Sequence, residues 1–441
     1  MVAYTETKVD DGDEDEEEAS NPFQSNVRKV QAIRGLRMAL FGIPVVVEYL
    51  QRKGMGVEDV FHVKAVHSLA VVLLELPAGY VSDRFGRKPA IVASCACGVL
   101  YWTAMGAGNT KRHFQAAQVL LGMSDSLFSG TDAAVLYESL EKCGSKGRAL
   151  HGESQAVFIA QATETMASIL GGYVASHVSL RSAMWLTCLP YALALGIGST
   201  LVETSGFRDH SHQQYYMWDS MVQSAFNLVQ IVKKDLINLE LGPEVLAGVL
   251  LGTTTYTAVW LFQPLWKRAG LSLGMYGWAW ASLNLSVALT ALTAPTLQQK
   301  LGTRPALIFL GLWGGICYFL LGTLGNQVAL VLAGCALYWV RGGGGPIVTN
   351  AINRQATPTH RASLLSVRSM LTQAVFLLWT PAVGYVSSTT GLTWACVLTG
   401  VVLSVGASCL LASFTLLYPQ ATKNDHEKLN DRGGRGVIEV N

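Results

Sequence analysis

The sequence predicts an all-α membrane protein, with twelve transmembrane helices arranged as two six-helix bundles. Three observations carry this. Half of the 441 residues are hydrophobic and only 14% are charged, against about 25% in a typical soluble domain. Apolar runs of about 20 residues, the length that crosses a bilayer, recur along the chain. One long polar segment, 203–240, divides these runs six and six. The net charge of +2 gives no reason to expect a nucleic-acid partner.

In chain order, residues 1–29 form an acidic cytosolic tail. Its block of Asp and Glu from Asp10 to Glu18 is expected to stay disordered. The first bundle occupies 30–202. Its spans are expected at about Val30–Leu50, Phe61–Val81, Pro89–Gly108, Phe114–Leu136, Ser154–Ala175 and Ala183–Val202. The linker 203–240 carries an apolar stripe from Met217 through Met221 and Leu228 to Leu236, the spacing of an amphipathic helix on the inner membrane face. The second bundle, 241–417, is expected to span at about Pro243–Pro264, Tyr276–Leu297, Pro305–Leu324, Val328–Asn350, Leu364–Val386 and Leu392–Leu416. Residues 418–441 form a second cytosolic tail. Basic loop residues such as Arg84, Arg87, Lys88, Lys142, Lys146 and Arg148 favour an orientation with both termini inside.

The loop between spans 2 and 3 reads Gly79-x-x-x-Asp83-Arg84-x-Gly86-Arg87-Lys88. Gly79 is small enough for a neighbouring helix to approach closely, and Asp83 is placed to cap a helix. Arg84, Arg87 and Lys88 can bridge to acids on adjacent loops, with Glu138 and Glu141 as candidates. Glu75 lies close enough to join them. Shifted by 216 residues, Gly86 to Ala90 falls on Gly302 to Ala306, so the chain carries a parallel repeat, a transporter plan with its substrate site between the halves.

The loop motif, its place between spans 2 and 3, and the twelve-span layout resemble the major facilitator superfamily across the whole chain. That resemblance implies a multi-pass transporter of the plasma or inner membrane. It makes Glu75, Gly79, Asp83, Arg84, Gly86, Arg87 and Lys88 a conformational latch, expected to favour the outward-open state. Drug–proton antiporters of this superfamily usually carry an arginine in span 4 and a Gly-Pro-x-x-Gly-Gly element in span 5. Here Gln118 stands at the arginine, and only Gly171 and Gly172 remain of the element.

Charged groups inside a bilayer cost about 2.5–3.5 kcal/mol each and so face protein or a water-filled cavity. Span 4 carries Asp125, Ser129 and Asp132 on one helical face. Span 1 carries Arg37 and Glu48, span 5 Gln161 and Glu164, and span 10 Arg341 before Gly342–Gly345. The bland alternatives are structural pairing, snorkelling at Arg37 and headgroup contact at Glu48. Asp125 and Asp132 are candidate partners of Arg341. The resemblance places spans 1, 4, 7 and 10 around the cavity. The substrate and proton pathway is therefore expected to comprise Arg37, Glu48, Asp125, Ser129, Asp132, Glu164 and Arg341. Carboxyls held away from bulk water can take up and release protons near neutrality, which makes Asp125, Asp132 and Glu164 the candidate carriers. Trp260 and Gln263 are candidate substrate contacts.

The expected function is secondary transport of a small organic molecule by alternating access, as proton-coupled efflux by a monomer. One alternative is uptake or exchange of an anionic metabolite, suggested by Arg37 and Arg341. Another is a non-transporting sensor or scaffold, suggested by the acidic tail. The sequence holds no phosphate loop, Ser-His-Asp set or metal-spaced Cys/His cluster, so neither an enzyme nor a bound cofactor or metal is expected.

Overall fold

The computed structural model describes residues 22–145, 149–204, 242–355 and 361–417. The acidic block and the Met217–Leu236 stripe lie outside the described residues. Every regular element among those described is helical. In chain order they are α1 (Pro22–Arg37), a 3-10 turn (Ile43–Val45), α2 (Val46–Arg52), α3 (Val57–Phe85), α4 (Arg87–Ala107), α5 (Lys111–Phe128), α6 (Thr131–Lys142), α7 (Ala149–His177) and α8 (Leu180–Ser199). After the linker come α9 (Gly242–Arg268), α10 (Leu273–Leu301), α11 (Thr303–Thr323), α12 (Gln327–Gln355), α13 (Arg361–Thr389) and α14 (Leu392–Leu417).

Eight of these helices, α3, α4, α8, α9 and α11 to α14, are long and apolar enough to cross a membrane. Large apolar side chains such as Leu73, Phe158, Leu292 and Leu378 stand exposed on them and on their neighbours, as lipid-facing residues do. The four expected spans outside this set differ for a physical reason. Spans 1 and 4 are each split into two shorter helices. The helices α7 and α10, which carry many of the polar residues, pack against each other between the halves.

Two expectations of unbroken helices are corrected here. Span 1 breaks between Arg37 and Val46, with Pro44 opening the 3-10 turn, a position where its missing N–H is no loss. Span 4 breaks at Ser129 and Gly130, where Gly130 takes φ +74°, a conformation that glycine adopts without penalty. Arg37 and Glu48 therefore do not share a helical face, and Asp132 sits in the first turn of a new helix rather than one face along from Asp125. The N-terminal boundary also moves. Helix α1 starts at Pro22, and Asn26 is buried, donating to the Val202 carbonyl at 2.8 Å and accepting from its amide at 3.0 Å.

Two seams join the halves, α3 against α13 and α7 against α10. The second is a close crossing. A side chain on Gly172 would stand 2.7 Å from the Gly277 amide nitrogen, and one on Gly277 would collide with the Ser168 carbonyl. The glycine run of α12 works similarly: Gly342 faces Thr290 of α10 and Gly344 faces Leu251 of α9, so the run serves close packing within a continuous helix. We call the end of the molecule at Asp83–Lys88 the hinge end and the opposite end the far end. Toward the far end a single apolar core runs through both halves, from Val46, Leu50 and Phe61 to Phe262, Leu265 and Trp266. Near the hinge end the N-terminal half keeps a separate core of Val30, Ile33, Ile91, Val135 and Leu136.

Candidate functional site

The loop motif forms a compact hinge. Gly86 takes φ +106° and both ends α3 and begins α4. The Arg87 guanidinium donates to Asp83 at 2.7 Å and to Ser82 at 3.0 Å, and lies 3.6 Å from Glu138. The α4 N-terminus is capped by Glu203, not by Asp83. Its two carboxylate oxygens accept from the Arg87 and Lys88 amides at 3.0 Å each, placing negative charge where the helix dipole favours it. Glu203 opens the polar linker, and its lone carboxylate there gave no sign of this role. Three latch expectations need correction. Among the described residues Gly79 meets no neighbour, so no close approach is made there. Arg84 lies over Tyr80 of its own helix at 6.0 Å. Glu75 is outside the hinge network, and Ser129 donates to it at 3.0 Å.

The repeat at Gly302 copies the backbone. Gly302 takes φ +84° between α10 and α11, as Gly86 does between α3 and α4. The second copy lacks an aspartate at Gln299 but recruits an acid from elsewhere: Arg304 donates to Glu244, at the start of α9, at 3.0 Å in a buried pair.

Between the halves lies a cavity of about 750 Å³, within the range that takes drug-sized ligands. Helices α1, α3, α5, α6 and α7 of one half and α9, α12 and α13 of the other contribute to its walls. Arg37, Asp125, Asp132, Glu164 and Arg341 line it. Glu48 and Ser129 do not, contrary to expectation. Arg37 donates to Asp125 at 3.1 Å and to the Ser94 and Ser124 hydroxyls at 2.8 and 3.0 Å, with Phe128 beneath its guanidinium. Asp125 also meets His67 at 3.1 Å. Arg34 bridges Asp132 at 2.5 Å and Glu153 at 2.7 Å. Asp125 and Asp132 are thus paired with Arg37 and Arg34, not with Arg341. The physical reason is the break in span 4, which turns the two acids toward different parts of α1.

Glu164 is buried and accepts from Trp280 of the other half and from Gln161, each at 3.3 Å. Two residues absent from the expected pathway complete the cavity. Lys64 is 3% exposed, bonds to Gln118 at 3.2 Å and rests over the Trp260 ring at 4.1 Å. Ser68, one turn further, donates to Gln373 of α13 at 2.8 Å. A lysine in an apolar run was a visible signal, but with no partner evident in the sequence it suggested no site.

Ties between the halves gather toward the far end. Gln263 accepts from the Val47 and Glu48 amides at 2.8 and 3.3 Å and donates to the Ile43 carbonyl at 2.9 Å. It satisfies the backbone groups freed where span 1 breaks, as hydrocarbon surroundings require. Gln263 is therefore a structural tie, not a substrate contact, while Trp260 does line the cavity. Glu48 is buried between Lys267 at 2.8 Å and Arg52 at 2.9 Å, and Ser388 donates to Glu58 at 2.7 Å. These bonds tie the two halves together at the far end.

Comparison with known proteins agrees with this architecture. The Major Facilitator Superfamily model matches residues 32–214 and 245–439, and the chain belongs to that family of multi-pass membrane transporters. It is 25% identical over 342 residues to YxaM of Bacillus subtilis (strain 168), an uncharacterized MFS-type transporter, spanning 77% of this chain and 82% of that protein. Its fold is similar to that of the nucleoside transporter NupG, with a TM-score of 0.71 at 14% identity over 88% of this chain and 99% of that one. A POT family transporter crystallised with 5-aminolevulinic acid gives a TM-score of 0.69 at 13% identity, covering 88% and 96% of the two chains.

Proposed function

We propose that this protein is a proton-coupled secondary transporter that carries a small organic molecule through the central cavity by alternating access, as a monomer of twelve spans in the plasma or inner membrane with both termini inside. The observation that carries the reading is the position of the cavity. Both halves line it; bonds join the halves at the cavity wall, Ser68 to Gln373 and Trp280 to Glu164, and again toward the far end. Breaking those bonds while closing the hinge end exposes the same site to the opposite side. The hinge residues Asp83, Arg87 and Glu138 are positioned to hold the latch.

Glu164 is the best-supported proton carrier. Asp125 and Asp132 each face an arginine at ion-pair distance, so each is already committed to a partner within its own half. Glu164 is held by neutral donors from both halves, so a change in its charge acts on the contact between them. The test uses the purified chain in liposomes carrying a pH gradient, with candidate substrates followed by counterflow. Glu164→Gln is expected to abolish pH-driven accumulation while preserving counterflow. Unchanged pH-driven accumulation would remove Glu164 from the coupling path. The direction of flow, export in the sequence reading, follows from which sign of the gradient drives it.

A further inference from the structure

Four lysine and arginine side chains and four carboxylates line the cavity, but they are not paired evenly. Its two hinge-side arginines are spent: Arg34 on Asp132 and Glu153, and Arg37 on Asp125. Two further cations, Lys64 and Arg341, also line it, and neither has a carboxylate within ion-pair distance among the described residues. Lys64 is buried, with the Gln118 side-chain oxygen and the Trp260 ring as its partners. Arg341 lines the cavity beside the Tyr338 ring, 5.9 Å from it. Glu164 is within Coulombic range of Arg341 but is bonded to Trp280 and Gln161 instead, and Asp125 is within Coulombic range of Lys64 but is bonded to Arg37 and His67.

The aromatic wall connects the two cations. Trp260 lies under Lys64, and Tyr256 is one turn before it on α9, packed 5.7 Å from Phe376. Tyr256 is also within Coulombic range of both Arg341 and Arg368. The site thus presents ring faces beside the positive charge of Lys64 and Arg341.

We propose that the cavity binds a small organic anion, its charged group held by Lys64 and Arg341 and its apolar body laid against Trp260, Tyr256 and Phe376. This rests on the transport reading of the same cavity and adds the substrate class. Holding Lys64 away from bulk water without a directly paired carboxylate is costly, and an occupant that supplies the negative charge recovers that cost. Arg341 also offers a fixed fork that matches a carboxylate or phosphate with two parallel hydrogen bonds. An organic cation is disfavoured by the same geometry, because the ring face that would receive it already holds Lys64. Arg37, the other cation first suspected of anion binding, is excluded by its bond to Asp125.

The experiment compares three matched probes on the purified full-length chain: naphthalene-2-carboxylate, its neutral amide and the corresponding aminomethyl compound. Affinity is read by ligand-dependent melting temperature and by tryptophan fluorescence. The carboxylate is expected to bind at least tenfold more tightly than either isostere. Arg341→Gln and Lys64→Gln should each weaken the carboxylate about tenfold or more while leaving the amide unchanged, the loss expected for one charged hydrogen-bond partner. Arg341→Lys, which keeps the charge and loses the fork, should recover part of the affinity, and it serves as well if the Gln variant does not fold. Equal binding of the three probes, or equal loss of all three in the variants, overturns the proposal. Counterflow of the same probes in liposomes separates the two readings. Movement of the amine or amide in preference to the carboxylate refutes the anion site and leaves transport standing. Charge-selective binding without movement of any probe supports the anion site and refutes transport.

Discussion

Gln263 shows how one side chain can hold two halves of a membrane protein together. Its amide meets the two amides and one carbonyl left over where span 1 breaks. An orphaned buried group costs about 1–3 kcal/mol, and three are at stake here. Gln263→Leu should therefore lower the melting temperature of the purified protein by several degrees. Gln263→Glu, which keeps the acceptor and loses the donor to Ile43, should fall between the two. A leucine variant that melts with the parent would show that the tie contributes nothing. At this scale the sequence was informative about which residues are polar inside the membrane and poor on their partners. Asp125, Asp132 and Arg341 were visible as charges in apolar runs. Their pairing depended on where the helix breaks fall, and a hydrophobic run does not encode that. Glu48 was visible too, but its partner Lys267 lies 219 positions away, on the other half.

The elements that were legible are those fixed by local chemistry. The Gly86 hinge and its copy at Gly302 were readable because a helix–turn–helix of this tightness needs a residue at positive φ, and both glycines take it. The cap on α4 was not readable, because Glu203 reaches it from 116 positions downstream. Removing that cap tests whether the hinge geometry depends on it. Glu203→Ala leaves the first two amides of α4 without their acceptor, a loss of about 0.5–2 kcal/mol by analogy with other N-terminal caps. Amide hydrogen exchange should then quicken in the first turns of α4, around Lys88 to Val92, with little change in α11, whose hinge uses Arg304 and Glu244 instead. Exchange that stays slow in α4 would mean that Asp83 and Arg87 suffice to hold it. The breaks at residues 38–45 and at Gly130 were the main element-level surprises. Each interrupts a span whose hydropathy alone reads as continuous, and each sets the direction in which a cavity residue points.

For the molecule as a whole, the two-part layout followed from counting apolar runs around one polar segment, and family membership followed from the hinge motif. The state of the molecule did not. Which end is closed is decided by contacts between the halves, and these involve residues such as Gln263, Lys267 and Ser388 that carry no recognisable motif. The central claim is that the two ends open in alternation around one cavity. It is tested most directly by measuring two distances in the same liposome-embedded protein with spin labels. One pair, at Arg112 and Thr390, reports on the far end. The other, at Arg84 and Lys300, reports on the hinge end. All four positions are exposed. Lys267→Gln removes the bond to Glu48 across the far end and should lengthen the first distance while shortening the second. If both distances lengthen together, or neither responds while the protein remains folded, the two ends are not coupled and the alternating-access account is wrong.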